Sequence, residues 1–190
     1  MAFEEKTISS EIVYEGPVFK IRKHLVETVN GESYRDVVEH NGGAVMLAVF
    51  DDGRIIMERQ YRKALEREVL ELPAGKIDPG EEPLAAAERE LREETGWVSG
   101  DTRHLVSFNP SCGYAMEMLH IYVMRDLALS ERELDADEDI ELIYMTADEL
   151  ICKIMNQEIK DAKTLSGYYL REWQVRFNER LSRVFEEGSE

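Results

Sequence analysis

The chain has 190 residues, 43% of them hydrophobic, which suits one globular domain with its own core and room for a small appendage. Acids outnumber bases 40 to 23, for a net charge of -17, and no basic run exceeds two residues. Such a surface repels DNA, RNA and anionic lipid, so an anionic ligand needs an offsetting charge, for which a metal ion is one candidate.

The first half reads as strands. EIVYEG (11–16) and FKIRKHLVETV (19–29) alternate apolar and polar residues. Asn30-Gly31 marks a tight turn, and SYRDVVEH (33–40) runs back. AVMLAVF (44–50) is a continuous apolar run, the pattern of a strand covered on both faces. Asp51-Asp52-Gly53 turns it into RIIMERQY (54–61), and VLEL (69–72) is a short strand ending at Pro73. PAGKIDPGEE (73–82) reads as a long loop, followed by a helix over about residues 83–95. Pro83 suits its first position, Glu81 and Glu82 the positive end of its dipole, and Gly96 its C-terminal cap. Leu84, Ala87 and Leu91 give it an apolar stripe.

Strands resume at RHLVSF (103–108) and MLHIYVM (118–124), with PSCG as a loop between them. SERELDADED (130–139) is an acidic loop and IELIYM (140–145) a last strand. Two helices close the chain, ADELICKIMNQ (147–157) and residues 161–187, the latter with Gly167 as its only internal breaker. Without repeats or linkers, the fold class expected is α+β. Residues 1–40 form an N-terminal antiparallel β arm suited to dimerisation, and residues 41–190 the main domain.

Cys112 and Cys152 show no CxxC or Cys/His zinc spacing and read as reduced thiols, as in a cytoplasmic protein. MAFEEKTISS has no apolar signal-peptide core, and no apolar run approaches the roughly 20 residues of a membrane helix. His24, His40, His104 and His120 are scattered; His120, inside an apolar strand, reads as a core residue. Tyr168, Tyr169 and Trp173 read as helix packing rather than a base-stacking platform.

The chemistry concentrates in ELREETG (90–96). On a helix, Glu90, Glu93 and Glu94 share one strip, at a cost of roughly 0.2–0.5 kcal/mol per like-charged pair. The strip lies about a quarter-turn from the apolar stripe, at the edge of the buried face. Arg89 stands four residues before Glu93, and Glu88 four before Arg92, so each can pair. A solvated charged helix is the plain alternative, but its acids would share a face with lysines. A hard divalent cation resolves the repulsion, because Mg²⁺ takes oxygen ligands, commonly a few carboxylates plus substrate phosphates. A carbonyl in Pro73-Ala74-Gly75 can add a further oxygen.

GKIDPGEEPLAAAERELREETGW (75–97) resembles the Nudix box, with Gly75, Glu81, Arg89, Glu90, Leu91, Glu93, Glu94 and Gly96 in register and Trp97 at the bulky last position. The resemblance implies a mixed sheet sandwiched between helices. It implies Glu90 and Glu94 as principal ligands of Mg²⁺ or Mn²⁺, and Glu93 as a further ligand or holder of a bridging water. It implies Arg89 as the residue orienting the glutamates, Glu81 as the one ordering the loop, and the Ala74 carbonyl as a ligand. YRDVVEHNGGAVMLAV, RQYRKALEREVLELPAGKID and EIKDAKTLSGYYL resemble the ADP-ribose pyrophosphatase branch. That branch implies Arg62 and Glu71 as substrate contacts, a catalytic acid before the last strand, best matched by Glu138 with Asp137 and Asp139 as neighbours, and a homodimer. Cys112 departs from the branch, which often has Ser-Pro-Gly in this loop; as a residue it reads as a structural loop cysteine.

The expected activity is Mg²⁺-dependent hydrolysis of the pyrophosphate bond of a nucleoside diphosphate linked to another moiety, with ADP-ribose leading and GDP- or UDP-sugars as alternatives. A non-hydrolysing sensor on the same fold fits less well, because the acids are complete. Glu172, Glu179, Glu186 and Glu187 make the last helix a poor DNA face.

Overall fold

The computed structural model describes residues 4–136 and 138–187, with side chains through Arg176. Asp137 lies outside the described residues, as do the side chains of Glu179, Glu186 and Glu187.

Strands β1 (Lys6–Glu15), β2 (Lys20–Thr28) and β3 (Gly31–Glu39) form one antiparallel sheet in that order. Gly31 makes the second turn at φ 110°, where only glycine sits without strain. β1 is exposed along its length, with Ile8, Ile12, Val13 and Tyr14 open to solvent. The sheet meets the rest of the chain at Val38, whose N–H donates to the Tyr114 carbonyl (2.8 Å) and whose carbonyl accepts from the Met116 N–H (2.9 Å).

Strand β4 (Gly43–Ala48) is buried throughout, as its unbroken apolar run requires. Strands β5 (Ile55–Arg62) and β6 (Arg67–Glu71) follow, then β7 (Ala74–Lys76). β7 corrects the expected loop. Ala74 and Gly75 pair antiparallel with Val45 and Ala44, and the Met46 N–H donates to the Pro73 carbonyl at 2.9 Å. No alternating pattern of three residues could announce it; the exposed edge of β4 supplies the partner.

Helix α1 (Pro83–Glu90) continues into a π-helical turn (Leu91–Thr95), and Gly96 closes it in the left-handed region at φ 72°. Ala86, Ala87 and Leu91 are its buried face, whereas Leu84 is 44% exposed and leaves the predicted stripe. Strand β8 (Trp97–Phe108) starts six residues before its predicted boundary and pairs with β9 (Leu119–Leu129). β10 (Ile140–Met145) lies beside β5. Helices α2 (Ala147–Met155) and α3 (Ala162–Glu187) end the chain. Gly167 is accommodated within α3, where a Cβ would lie 3.1 Å from Leu72 Cδ1.

The mixed sheet β7-β4-β9-β8, in which β4 and β9 run parallel, carries the core on both faces. One face packs Val45, Leu47 and Ile121 against Leu150 and Ile154 of α2 and Tyr168 of α3. The other packs Ala44, Met46 and Met124 against the buried face of α1 and its π turn. The antiparallel sheet β10-β5-β6 completes an α+β sandwich. Both cysteines are free and exposed. Among the described residues no helix is long and apolar enough to cross a membrane. Tyr168 is buried, and Tyr169 stacks edge-on against it (centroids 5.8 Å apart) but is itself exposed. Trp173 is 61% exposed. His120 is only half-buried and bonds Ser107 Oγ through Nδ1 at 2.8 Å, so it is a bonded residue at the core's margin, not within it.

Candidate active site

Arg89 is the hub of the acidic helix. Its Nε and Nη2 grip Glu81 Oε1 and Oε2, both at 2.9 Å, and Nη2 also donates to the Lys76 carbonyl at 3.1 Å. Nη1 donates to Glu90 Oε1 at 2.8 Å and Glu93 Oε2 at 3.1 Å. The planar fork suits this bidentate work. Glu81 also accepts from the Asp78 N–H at 3.0 Å, which ties the loop to the helix. The Arg89 bonds hold the Glu81 carboxyl down at about 2. Arg92 does not pair with Glu88; it bonds Glu93 Oε1 (2.8 Å) and Glu133 Oε2 (3.2 Å).

The three box glutamates differ in burial. Glu93 and Glu90 are half-buried, while Glu94 is 4% exposed. Burial, then the charges of Glu90 and Glu138, push the Glu94 carboxyl up to about 8, and its Oε2 has no hydrogen-bond partner. Burial also raises Glu90. β7 brings its backbone against this group: a Cβ on Gly75 would fall 1.8 Å from Glu90 Cδ. Only glycine lets the strand and the carboxylate share that space, and Ala74 stands next to it with a backbone carbonyl available as the expected oxygen ligand.

The acidic loop is stapled to the end of this helix. Arg132 Nε donates to the Glu94 carbonyl and its Nη2 to the Ile140 carbonyl at 2.8 Å. The Ser130 N–H donates to the Gly96 carbonyl (2.7 Å) and the Glu133 N–H to that of Glu93 (3.0 Å). Glu138 is therefore delivered to the site, where its charge acts on both Glu90 and Glu94. Asp139, next to Ile140 of that staple, is exposed.

On the other side, Glu71 accepts from Arg62 Nε at 2.6 Å and from Lys163 Nζ. Lys163 sits in the first turn of α3 and also faces Asp161 Oδ2 at 3.3 Å. Asp161 in turn accepts from the Thr164 N–H at 2.9 Å, and Thr164 Oγ1 accepts from the buried Leu72 N–H at 2.9 Å. Sequence reasoning missed Lys163, since nothing in the helix period marks it. It also missed Glu58, which is fully buried with neither carboxylate oxygen hydrogen-bonded. Strand alternation was the available signal: Glu58, Gln60 and Arg62 share one face of β5. Burial and the Glu94 charge push the Glu58 carboxyl well up.

Arg62, Glu71 and Lys163 line a cleft of about 600 Å³, together with His40, Gly75 and Asp161. That volume matches small-molecule sites. Cys112 is not among its lining residues.

A divalent cation fits this arrangement. Glu58, Glu71 and Glu94 are nearly wholly buried, and both bases among them, Arg62 and Lys163, bond Glu71. Glu94 Oε2 is left orphaned, an expensive state that a hard cation relieves. Among the described residues no three acid, histidine or cysteine side chains converge as a ready-made cage. The donors are instead one or two carboxylates and a carbonyl, the set that holds Mg²⁺ when phosphate oxygens complete it.

The NUDIX domain model matches residues 40–167. The chain belongs to the Nudix family. Two relatives are each 42% identical over 166 residues, covering 86% of this chain and 90% of their own length: the methanol dehydrogenase activator of Bacillus methanolicus and the ADP-ribose pyrophosphatase of Bacillus subtilis. A crystal structure of an ADP compounds hydrolase shares the Nudix fold at TM-score 0.79 and 24% identity, over 90% of this chain and 94% of that one. Nudix hydrolases generally use divalent metal ions.

Gly75→Ala should displace Glu90 and cut turnover by about 10²-fold, the scale expected of an ångström-sized misplacement. Circular dichroism should be unchanged; an active Gly75→Ala protein would show that Glu90 need not sit there. In metal-free buffer, the folded Glu94 titrates near 8 against 4.5 for a free glutamate. Between these values the folded state holds a proton that the unfolded state has released, so the contribution of Glu94 to stability is fully present below 4.5 and is lost as pH rises towards 8. Thermal unfolding in chelator from pH 5 to 9 should show this decline, with a shallower slope for Glu94→Gln. An identical slope would remove Glu94 from the account.

Proposed function

We propose that this Nudix protein is a Mg²⁺-dependent pyrophosphohydrolase acting on ADP-ribose to give AMP and ribose 5-phosphate, with Mn²⁺ as the alternative ion. The observation that carries this reading is the buried Glu94, whose Oε2 lacks a hydrogen-bond partner and whose carboxyl feels the charges of Arg62 and Lys163, the two bases of the cleft that bond Glu71. The equal share of identity with a relative named for ADP-ribose hydrolysis supports the substrate.

Each residue has a task. Glu90, Glu94 and the Ala74 carbonyl hold the cation, which when bound polarises the phosphoryl oxygens and acidifies water. Glu93 holds the water network beside them, and Arg89 fixes the angle of both Glu90 and Glu93. Arg62 meets the diphosphate as a bidentate donor, with Glu71 as the carboxylate that orients it. A water oxygen bonds to one phosphorus, the bridging P–O bond breaks, and Glu138 accepts the water's proton. Glu81 and Gly96 keep the loop and the helix end in place. Residues 41–190 are the catalytic domain, and residues 1–40 an arm that pairs two copies in the cytoplasm; the exposed apolar row of β1 supports the pairing.

A second reading, a nucleotide-responsive regulator, is favoured by the equally similar relative named as an activator. The test is release of AMP or another monophosphate from ADP-ribose, GDP-mannose, UDP-glucose and NADH, each with and without Mg²⁺. The expected result is metal-dependent AMP release led by ADP-ribose and lost by several orders of magnitude in a folded Glu94→Gln protein. Preference for another sugar would reject ADP-ribose, and silence across the panel would reject the hydrolase. For the arm, removal of residues 1–40 should leave a monomer on sedimentation with weakened substrate binding. A truncated dimer that binds normally would refute the pairing.

A further inference from the structure

Glu58 is used by none of the roles above, yet it is among the most costly residues in the chain. It is 0% exposed, and both of its oxygens lack a hydrogen-bond partner. The nearest base is Arg62, whose Nη2 stands 3.9 Å from Oε1, beyond bonding distance, while its Nε is committed to Glu71. Lys163 is committed to Glu71 and Asp161. The neighbouring acid is Glu94, whose Oε2 is orphaned as well. Three carboxylate oxygens thus lie buried without a donor in one acidic pair, and the two bases nearby are already engaged.

An apolar residue of the same size would fill this place on β5 without that penalty, since replacing buried charges by apolar groups is often neutral or stabilising. The acid at position 58 therefore offers something other than packing. We propose that Glu58 is a further ligand for a divalent cation, forming with Glu94 a site at the inner end of the acidic cluster. It shares the face of β5 that carries Arg62, so the same strand that presents a donor to the substrate's phosphates presents a carboxylate to the ion. Two carboxylates with water and phosphate oxygens suffice for a Mg²⁺-type ion. The inference rests on the reading that Glu94 holds a cation.

Calorimetric titration of the full chain with Mn²⁺ alone, checked by electron paramagnetic resonance of the free ion, tests it. Glu58→Gln keeps the shape and removes the charge. It should bind one Mn²⁺ fewer per chain, or bind with Kd raised at least about tenfold. Glu58→Leu guards against a folding defect. In chelator it should unfold at or above the wild-type temperature, and added Mn²⁺ should raise that temperature less than in wild type. Superimposable isotherms for Glu58→Gln and wild type would overturn the inference alone, leaving Glu58 a buried acid that keeps its proton. A wild-type protein that binds no Mn²⁺ would overturn the cation reading and this inference with it.

Discussion

Carboxylates buried without donors are the constraint on which the rest of this structure depends. Folding removes Glu58 and Glu94 from water and returns no hydrogen bond to three of their oxygens. A protein has few ways to tolerate that: protonation, a nearby base, or a cation. The bases are close but bound to Glu71. Burial pushes both carboxyls up, and the cation we propose would relieve them.

The architecture exists to hold that strain in one place. Ala44, Met46 and Ala48 of β4 and Met124 of β9 form an apolar floor, and α1 and its π turn are pinned to it by Ala86, Ala87 and Leu91. The π turn follows, and such turns recur at functional sites because they shift side chains relative to a regular helix. Here Glu94 is turned inwards while Glu93 stays at the rim with two arginines. β7 closes from below and the 130–139 loop from the helix end, each attached by backbone bonds. Arg89 and Arg132 do parallel jobs: one ties glutamate carboxylates to the preceding loop, the other ties the Glu94 carbonyl to the loop that follows.

Much of this was legible in the chain. The buried run at β4, the hairpins of the arm, the helix start at Pro83 and its stop at Gly96 follow from local chemistry, whereas the π turn over Leu91–Thr95, which buries Glu94 and leaves Glu93 at the rim, was not legible in the helical spacing of the glutamates. Arg89 reaches Glu93, four residues on, as their spacing allowed. What was hidden depends on partners distant in sequence. β7 exists because β4 offers an edge, and the early start of β8 because β9 extends to meet it. Glu88 lost its expected partner because Glu133 arrives from a remote loop. Lys163 lies 92 residues from Glu71, so no window of sequence could join them. Glu58 was within reach of simple alternation, but a charged residue in a strand reads as solvent-facing until its neighbours are known.

The most direct measurement is a crystal structure with Mn²⁺ and a non-hydrolysable ADP-ribose analogue, with the metal located by anomalous scattering. The account predicts metal peaks bonded to Glu94 and its neighbouring carboxylates, with the diphosphate oxygens completing the shell and Arg62 on the phosphates. Metal bound elsewhere, or a diphosphate seated in the cleft with Glu94 still unpartnered, would contradict it.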